Sequence, residues 1–212
     1  MASRNITDLL NEFREWIDAI YGTYLDSVDA FPLLKAENEK EKKEIAHELL
    51  GLSDINQASE RIRRSYPRLV KGGKAEREIH LHCADIDTVI KRNERGGKNT
   101  IFSAKMAVIS IFGYWEDHIR KKLEQTLSSE AESVKVQAPV LGDLCLIRNM
   151  IVHNRSRADE NTPRLKILHW FSENDDINPT KDQIEDLVDR LFEFSRSFET
   201  DCSPFIVKSQ KQ

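Results

Sequence analysis

The 212-residue chain has no run of eighteen apolar residues, and it opens on the polar stretch Met1-Ala2-Ser3-Arg4-Asn5 rather than on a hydrophobic leader. The first absence excludes a membrane-spanning helix and the second argues against a secretory signal, so the expectation is a cytoplasmic protein with no membrane partner. Glycine (8) and proline (6) are scarce, which disfavours a chain of short strands and tight turns and favours helices. Cysteine is limited to Cys83, Cys145 and Cys202, an odd number at wide spacing, which fits reduced thiols filling a core better than a disulfide framework. No glycine-rich phosphate loop, no nucleophile elbow and no His-Glu-x-x-His sequence occurs, so ATP-driven and hydrolase readings built on those motifs have no support. His80-Leu81-His82-Cys83 is read on a helix, where consecutive residues splay apart, and no second ligand pair follows at zinc spacing. Neither a metal nor another cofactor is therefore expected.

Charged residues make up 32% of the chain and apolar residues 39%, with a net charge of -4, so bulk charge gives no argument for a nucleic-acid partner. The distribution is uneven. Residues 1–60 carry 6 basic and 13 acidic side chains, residues 61–98 carry 11 and 5, and residues 171–201 carry 3 and 10. Arg61, Arg63, Arg64, Arg68, Lys71 and Lys74 fall in a stretch with no acid at all. They are candidate RNA-contacting residues, weighed against the plainer reading of a solvated face beside a loop.

Apolar residues spaced three and four apart (Ile6, Leu9, Leu10, Phe13, Ile17, Ile20, Tyr21, Tyr24, Val28) predict an amphipathic helix that Pro32 ends. A charge-dense helix follows from Lys35 to Leu50, with Gly51 as its stop, and Ser53 caps a shorter helix ending before Pro67. Gly72-Gly73 and Gly96-Gly97 bracket another helix, with Ile79, Cys83, Ile86 and Ile90 as its apolar stripe. Thr100 to Leu127 is the most hydrophobic stretch and reads as a central helix, amphipathic after Glu116. A polar connection (Ser128 to Gln137) leads to an apolar helix from about Pro139 to Asn154. Leu165, Ile167, His169 and Phe171 alternate with their neighbours, which suggests a short strand or extended loop. Thr180 and Gln183 form a capping box for a last helix that buries Ile184, Leu187, Val188, Leu191 and Phe198. The predicted class is all-α: a helical extension over 1–98 packed on a helical core over 99–204, then a flexible tail over 205–212.

One helix carries a readable chemistry. An arginine followed after four to six residues by a histidine is expected roughly 1.4 times by chance in a chain of this composition, and it occurs three times: Arg77 to His82, Arg148 to His153 and Arg164 to His169. Context separates them. Arg77 belongs to a charged segment and Arg164 to an extended one, whereas Arg148 interrupts Leu144-Cys145-Leu146-Ile147 and Met150-Ile151-Val152. Burying a guanidinium costs several kcal/mol unless it is paired or faces water or a ligand, so a chain that keeps it there uses it. On a helix Asn149 and His153 share a face, while Arg148 lies about 140° from His153. Either the arginine stem bridges that angle locally or a second copy of the helix supplies the missing half, and dimerisation is the simpler of the two. An imidazole can take a proton from a 2′-hydroxyl or give one to a leaving oxygen. A guanidinium stabilises charge growing on the phosphate, and Asn149 can hold either group in place.

Arg148-Asn149-Met150-Ile151-Val152-His153 resembles the R-x4-6-H signature of the HEPN superfamily, in which a polar residue usually follows the arginine. Over roughly residues 99–200 the order of elements is also similar: a long apolar helix holding Trp115-Glu116, a polar connection, the motif helix, an irregular or hairpin segment and a closing amphipathic helix. The resemblance implies a HEPN-like helical bundle with additional N-terminal helices and an irregular segment or short hairpin between its last two helices. It also implies a metal-independent endoribonuclease, homodimeric, with a composite active site and 2′,3′-cyclic phosphate products. Such proteins serve as toxins or antiphage-defence effectors, so a cognate antitoxin or regulatory protein is an implied partner beside RNA. Arg148 and His153 carry over as the catalytic pair and Asn149 as the polar position. Glu116 and Arg120 match an auxiliary acid and base, and are equally an ordinary i,i+4 surface pair. The alternative within the same resemblance is a catalytically silent dimerisation or interaction module.

Overall fold

Long stretches rich in Leu, Ala, Glu and Lys fold as helices, and the described chain is mostly helical. The computed structural model describes residues 2–49, 51, 62–71 and 77–210, and of residues 2–5, 49, 63–71, 77–83 and 210 the backbone alone. The elements are α1 (Ala2–Glu44), β1 (Arg63–Lys71), β2 (Arg77–Asp85), α2 (Ile86–Arg92), α3 (Lys98–Tyr114), α4 (Arg120–Leu127), β3 (Glu132–Val136), α5 (Pro139–His153), α6 (Lys181–Thr200) and β4 (Ile206–Gln210). A π-turn, Trp115–Ile119, joins α3 to α4. No helix among the described residues is long and apolar enough to cross a membrane. The chain divides into two units, one of Met1–Leu25 with Ile101–Gln212 and one of Asp26–Thr100. The start of α1 thus falls with the C-terminal helices.

The larger unit is built around Trp115. Its ring lies 5.3 Å from Phe13 of α1 and 5.5 Å, edge-on, from Phe194 of α6. Phe194 in turn meets Phe198 and Phe205 at 5.6 and 5.2 Å. Each such pair adds about 0.5–1.5 kcal/mol beyond the area it buries. Leu10 and Ile17 of α1, Ile111 of α3, Leu144, Ile147 and Met150 of α5, and Leu187 and Leu191 of α6 complete this core, all almost fully buried. The capping box at α6 forms as expected: Thr180 Oγ1 accepts from Gln183 N–H, and the Gln183 side chain accepts from Thr180 N–H.

The smaller unit contains the second part of α1, the antiparallel ribbon β1–β2 and α2. Ala46, Ile62 and Ile86 form its buried cluster, with Ile45 and Ile90 packed against it. Asp85 caps α2, accepting from Thr88 N–H and Thr88 Oγ1 at 2.7 Å each, and Lys42 pairs with Asp87 at 2.7 Å.

Several expectations are corrected. Pro32 does not end the first helix: α1 runs through it. Proline removes one backbone hydrogen bond, and the strong helix formers from Lys35 onward, with Lys35–Glu39 and Lys40–Glu44 spaced one turn apart, sustain the helix beyond it. The predicted helix carrying Ile79 and Cys83 is largely β2, paired with β1 so that Leu69 faces Ile79, Pro67 faces Leu81 and Ser65 faces Cys83. Ile79, Leu81 and Cys83 alternate with Glu78, His80 and His82, and that period of two prevails over the coincident period near 3.6. The Ser53 cap and the Gly72-Gly73 pair lie outside the described residues. Between α5 and α6, of the irregular and hairpin alternatives, the irregular one is found: one antiparallel bridge, Arg157 to Asp176, a short 3-10 turn at Thr162–Arg164, and an irregular run through Leu165 to Phe171. The polar connection and the tail pair with one another instead: β3 and β4 are antiparallel, with Val134 opposite Lys208 and Val136 opposite Ile206.

Candidate functional site

Helix α5 is amphipathic in spite of its oily sequence. Val140, Leu141, Leu144, Ile147 and Ile151 are buried, whereas Cys145, Arg148 and Asn149 are half-buried and Val152 and His153 exposed. The helix stops immediately after His153. Asn154 N–H and Ser156 N–H both donate to Met150 O, at 3.2 and 3.1 Å, while Arg155 and Ser156 take left-handed backbone angles (φ 53 and 62). Non-glycine residues adopt that region at a cost of order 1 kcal/mol each. This wrapped end exposes the imidazole at the helix terminus.

The three motif residues meet within one chain. Arg148 Nη1 donates to Asn149 Oδ1 at 2.9 Å and lies 3.2 Å from His153 Nε2. A guanidinium only donates, so this contact is a hydrogen bond in the tautomer whose Nε2 carries the lone pair. Of the two ways to span the angle between Arg148 and His153, the local reach of the arginine stem is the one realised. Asn149 Nδ2 also points one turn back to Cys145 Sγ at 3.7 Å. Cys145 and Cys202 are free and half-buried, not core filler. Burial pushes the Cys145 thiol up, Glu116 adds to the shift, and Arg148, Asn149 and Arg120 oppose it.

Glu116 lies in the π-turn and forms an ion pair with Arg120, whose Nε is also 3.9 Å from Glu124. Glu116, Arg120 and Arg148 line one groove of about 1030 Å³, together with Cys145, Arg164 and Lys166. Sequence reasoning brought Glu116 and Arg120 to the motif only as an auxiliary pair. It missed Lys166, and it set Arg164 aside. Arg164 does not meet His169: its Nη1 donates to Asn161 Oδ1 at 2.9 Å, and His169 Nε2 lies 3.1 Å from Lys166 O. Arg77 and His82, five positions apart on β2, fall on opposite faces of the ribbon.

Asp143 was also missed, and it organises this region. Almost fully buried, its carboxylate accepts from the backbone N–H groups of Lys166, Ile167 and Leu168 at 2.6–2.9 Å. A buried acid on α5 thus pins the loop carrying Lys166 beside the helix carrying Arg148. The signal was present as one acid in the apolar run Leu141 to Leu146, the same kind of interruption as Arg148.

Of the six candidate RNA-contacting cations, Arg63, Arg64, Arg68 and Lys71 belong to β1, where the backbone alone is described, and Arg61 and Lys74 lie outside the described residues. Register puts Arg64 and Arg68 on one face of the ribbon with Tyr66, and Arg63 and Lys71 on the other. No protein-family model, no curated protein and no solved structure matches the chain.

Proposed function

We propose that the chain is a metal-independent endoribonuclease of the HEPN type, acting as a homodimer in the role of a toxin or antiphage-defence effector. The observation that carries this reading is the Arg148–His153 contact at 3.2 Å on an open helix end. His153 Nε2 removes the proton of a 2′-hydroxyl. The 2′-oxygen then attacks the adjacent phosphorus and forms a P–O bond. The 5′-oxygen leaves with the electron pair of the broken P–O bond and takes up a proton, giving a 2′,3′-cyclic phosphate and a 5′-hydroxyl. As substrate enters, the Arg148 N–H now aimed at Nε2 turns to a non-bridging phosphate oxygen, freeing the lone pair and stabilising the developing charge together. Asn149, already bonded to the guanidinium, keeps Arg148 oriented. A second copy supplies the proton donor for the leaving oxygen.

Purified protein is expected to cut single-stranded RNA in excess EDTA and to leave cyclic phosphate ends. Arg148→Ala and His153→Ala should each abolish cutting with helicity unchanged. Cutting retained in both variants would remove the site. A second reading, a silent interaction module, is favoured by one observation: Phe102 and Met106, one turn apart on α3, and Val152 of α5 are large apolar side chains exposed at 64%, 41% and 44%, apolar surface that a partner would cover. That module would bind a partner and cut no RNA.

A further inference from the structure

We infer that the groove lined by Arg148, Arg164 and Lys166 is the track along which the RNA backbone runs on one flank of the phosphate to be cut, with Arg164 and Lys166 as its phosphate contacts. The inference rests on the ribonuclease reading of Arg148 and His153 and extends it to the substrate strand.

The charge arithmetic of the lining carries the argument. Its three acids are already engaged: Glu116 by Arg120, Asp117 by Lys121 at 3.4 Å, and Asp143 by the backbone N–H groups of the 166–168 loop. Its cations are not all matched. Arg120 is paired, but among the described residues no carboxylate pairs with Arg148, Arg164 or Lys166; Arg164 has a neutral amide as partner. The lining thus carries four cations against three acids, and three of the cations, without a carboxylate partner among the described residues, converge on one concavity in a chain whose net charge is -4. An anion is the ligand that balances them.

Three features select a nucleic-acid strand over a small anion. At about 1030 Å³ the groove exceeds what a single phosphate or sulfate needs, since pockets for whole drug-sized ligands span roughly 300–1,000 Å³. The same lining includes Pro139, Leu146 and Pro204, apolar surface suited to sugar and base edges. Arg148 belongs both to the groove and to the contact with His153, so a strand lying in the groove is led past Arg148 to the imidazole. The first turn of α5 adds to the attraction: Ala138 gives it no side-chain cap, leaving backbone N–H groups and the positive helix end at the groove wall. Asp143 holds the loop in place from beneath, so that Lys166 is presented by an ordered segment.

The test uses the full chain in the His153→Ala background, so that RNA is bound and not consumed. Binding of a labelled single-stranded RNA of mixed sequence is measured between 50 and 200 mM salt, with and without Arg164→Gln plus Lys166→Gln. Both residues are exposed, so the fold tolerates the change. Each lost phosphate contact on a single strand lowers the slope of log affinity against log salt by about 0.7. The double variant should therefore bind more weakly and show a slope smaller by about 1.4, a salt-induced loss reduced about sevenfold over this range. Lys135→Gln plus Lys181→Gln, exposed and outside the groove, should leave affinity and slope unchanged. Equal slopes for the groove variant and its parent, an equal loss in the control pair, or no RNA binding at all would overturn the inference. Cutting by the chain with His153 intact is scored separately. Cutting with an unaltered slope removes the groove and keeps the ribonuclease reading, whereas an altered slope without cutting keeps the groove and removes the catalysis.

Discussion

Arg148 reaches His153 inside one chain, Nη1 to Nε2 at 3.2 Å, across five positions of α5. Five residues advance a helix by about 7.5 Å and turn it by about 140° from alignment, so the side chain must lie along the helix surface rather than extend into solvent. It does so because Asn149 Oδ1 anchors the same nitrogen at 2.9 Å. The three side chains meet within one chain without a second copy, so on the proposed reading what a second subunit adds is the proton donor for the leaving oxygen.

Arg148→Lys is the sharpest test of that anchoring. Lysine keeps the charge but has no planar fork, and one ammonium cannot serve Asn149, the imidazole and a phosphate oxygen in the geometry the guanidinium sustains. Cleavage should fall by about 10²–10³, the usual loss when one aligned donor to a developing oxyanion is removed, measured as kcat on a defined RNA. Activity within about threefold of the parent would show that charge alone suffices.

Asp143→Ala should destabilise the protein by roughly 3 kcal/mol, since three backbone N–H groups lose their acceptor and each unsatisfied donor costs about 1 kcal/mol or more. The measurement is the urea midpoint at unchanged m-value. Asp143→Asn keeps one acceptor oxygen and should cost only about 1 kcal/mol. Equal losses in the two variants would mean that the bonds from Lys166, Ile167 and Leu168 do not hold the loop.

The helices of the larger unit could be read from the sequence because their apolar residues repeat with helical spacing over many turns, as Ile184, Leu187, Val188 and Leu191 do before the capping box is considered. The ribbon could not, because Ile79 and Cys83 satisfy two periods at once and only the intervening Leu81 separates them. β3 and β4 were hidden for another reason. Each is five residues long, and each is stable only through a partner about seventy residues away in the chain, which no local window contains. In the motif helix the polar interruptions were visible, and Arg148, Asn149 and His153 do meet. What spacing could not supply was the tertiary bond from Asp143 to the loop, and with it the place of Arg164 and Lys166 beside Arg148.

Alkaline pH provides a test of the packing of α1 on α3. Tyr114 Oη donates to Glu12 Oε1 at 2.5 Å, and Lys122 lies 3.5 Å from the same oxygen. The bond to Glu12, with burial adding to it, pushes the Tyr114 hydroxyl up to about 12, and the same bond holds the Glu12 carboxyl below its ordinary value. For tyrosine the folded-state value is raised, so its contribution is complete below about pH 10 and is lost as pH rises toward 12. For Glu12 the value is lowered, so that contribution is present above its ordinary value of 4.5 and fades as pH falls through the depressed folded value. Tyr114→Phe should cost about 1 kcal/mol at neutral pH and flatten the decline in urea stability between pH 10 and 12. An unchanged decline would place its cause elsewhere.

Val152 tests whether the proposed ribonuclease acts as a dimer. It is 44% exposed and stands next to His153 on the open side of α5, where a β-branched apolar side chain gains nothing from water. If a second copy packs its own α5 here, Val152→Glu sets two carboxylates against each other at the symmetry axis, because a two-fold contact repeats every residue on both sides. Light scattering should then show a dimer for the parent and for His153→Ala, and a monomer for Val152→Glu. Cutting should disappear with the dimer although Arg148, Asn149 and His153 are untouched, and it should return in part at high protein concentration, where mass action restores association. A Val152→Glu protein that stays dimeric, or that cuts RNA as a monomer at the parent's rate, would show that the two copies do not meet on this face.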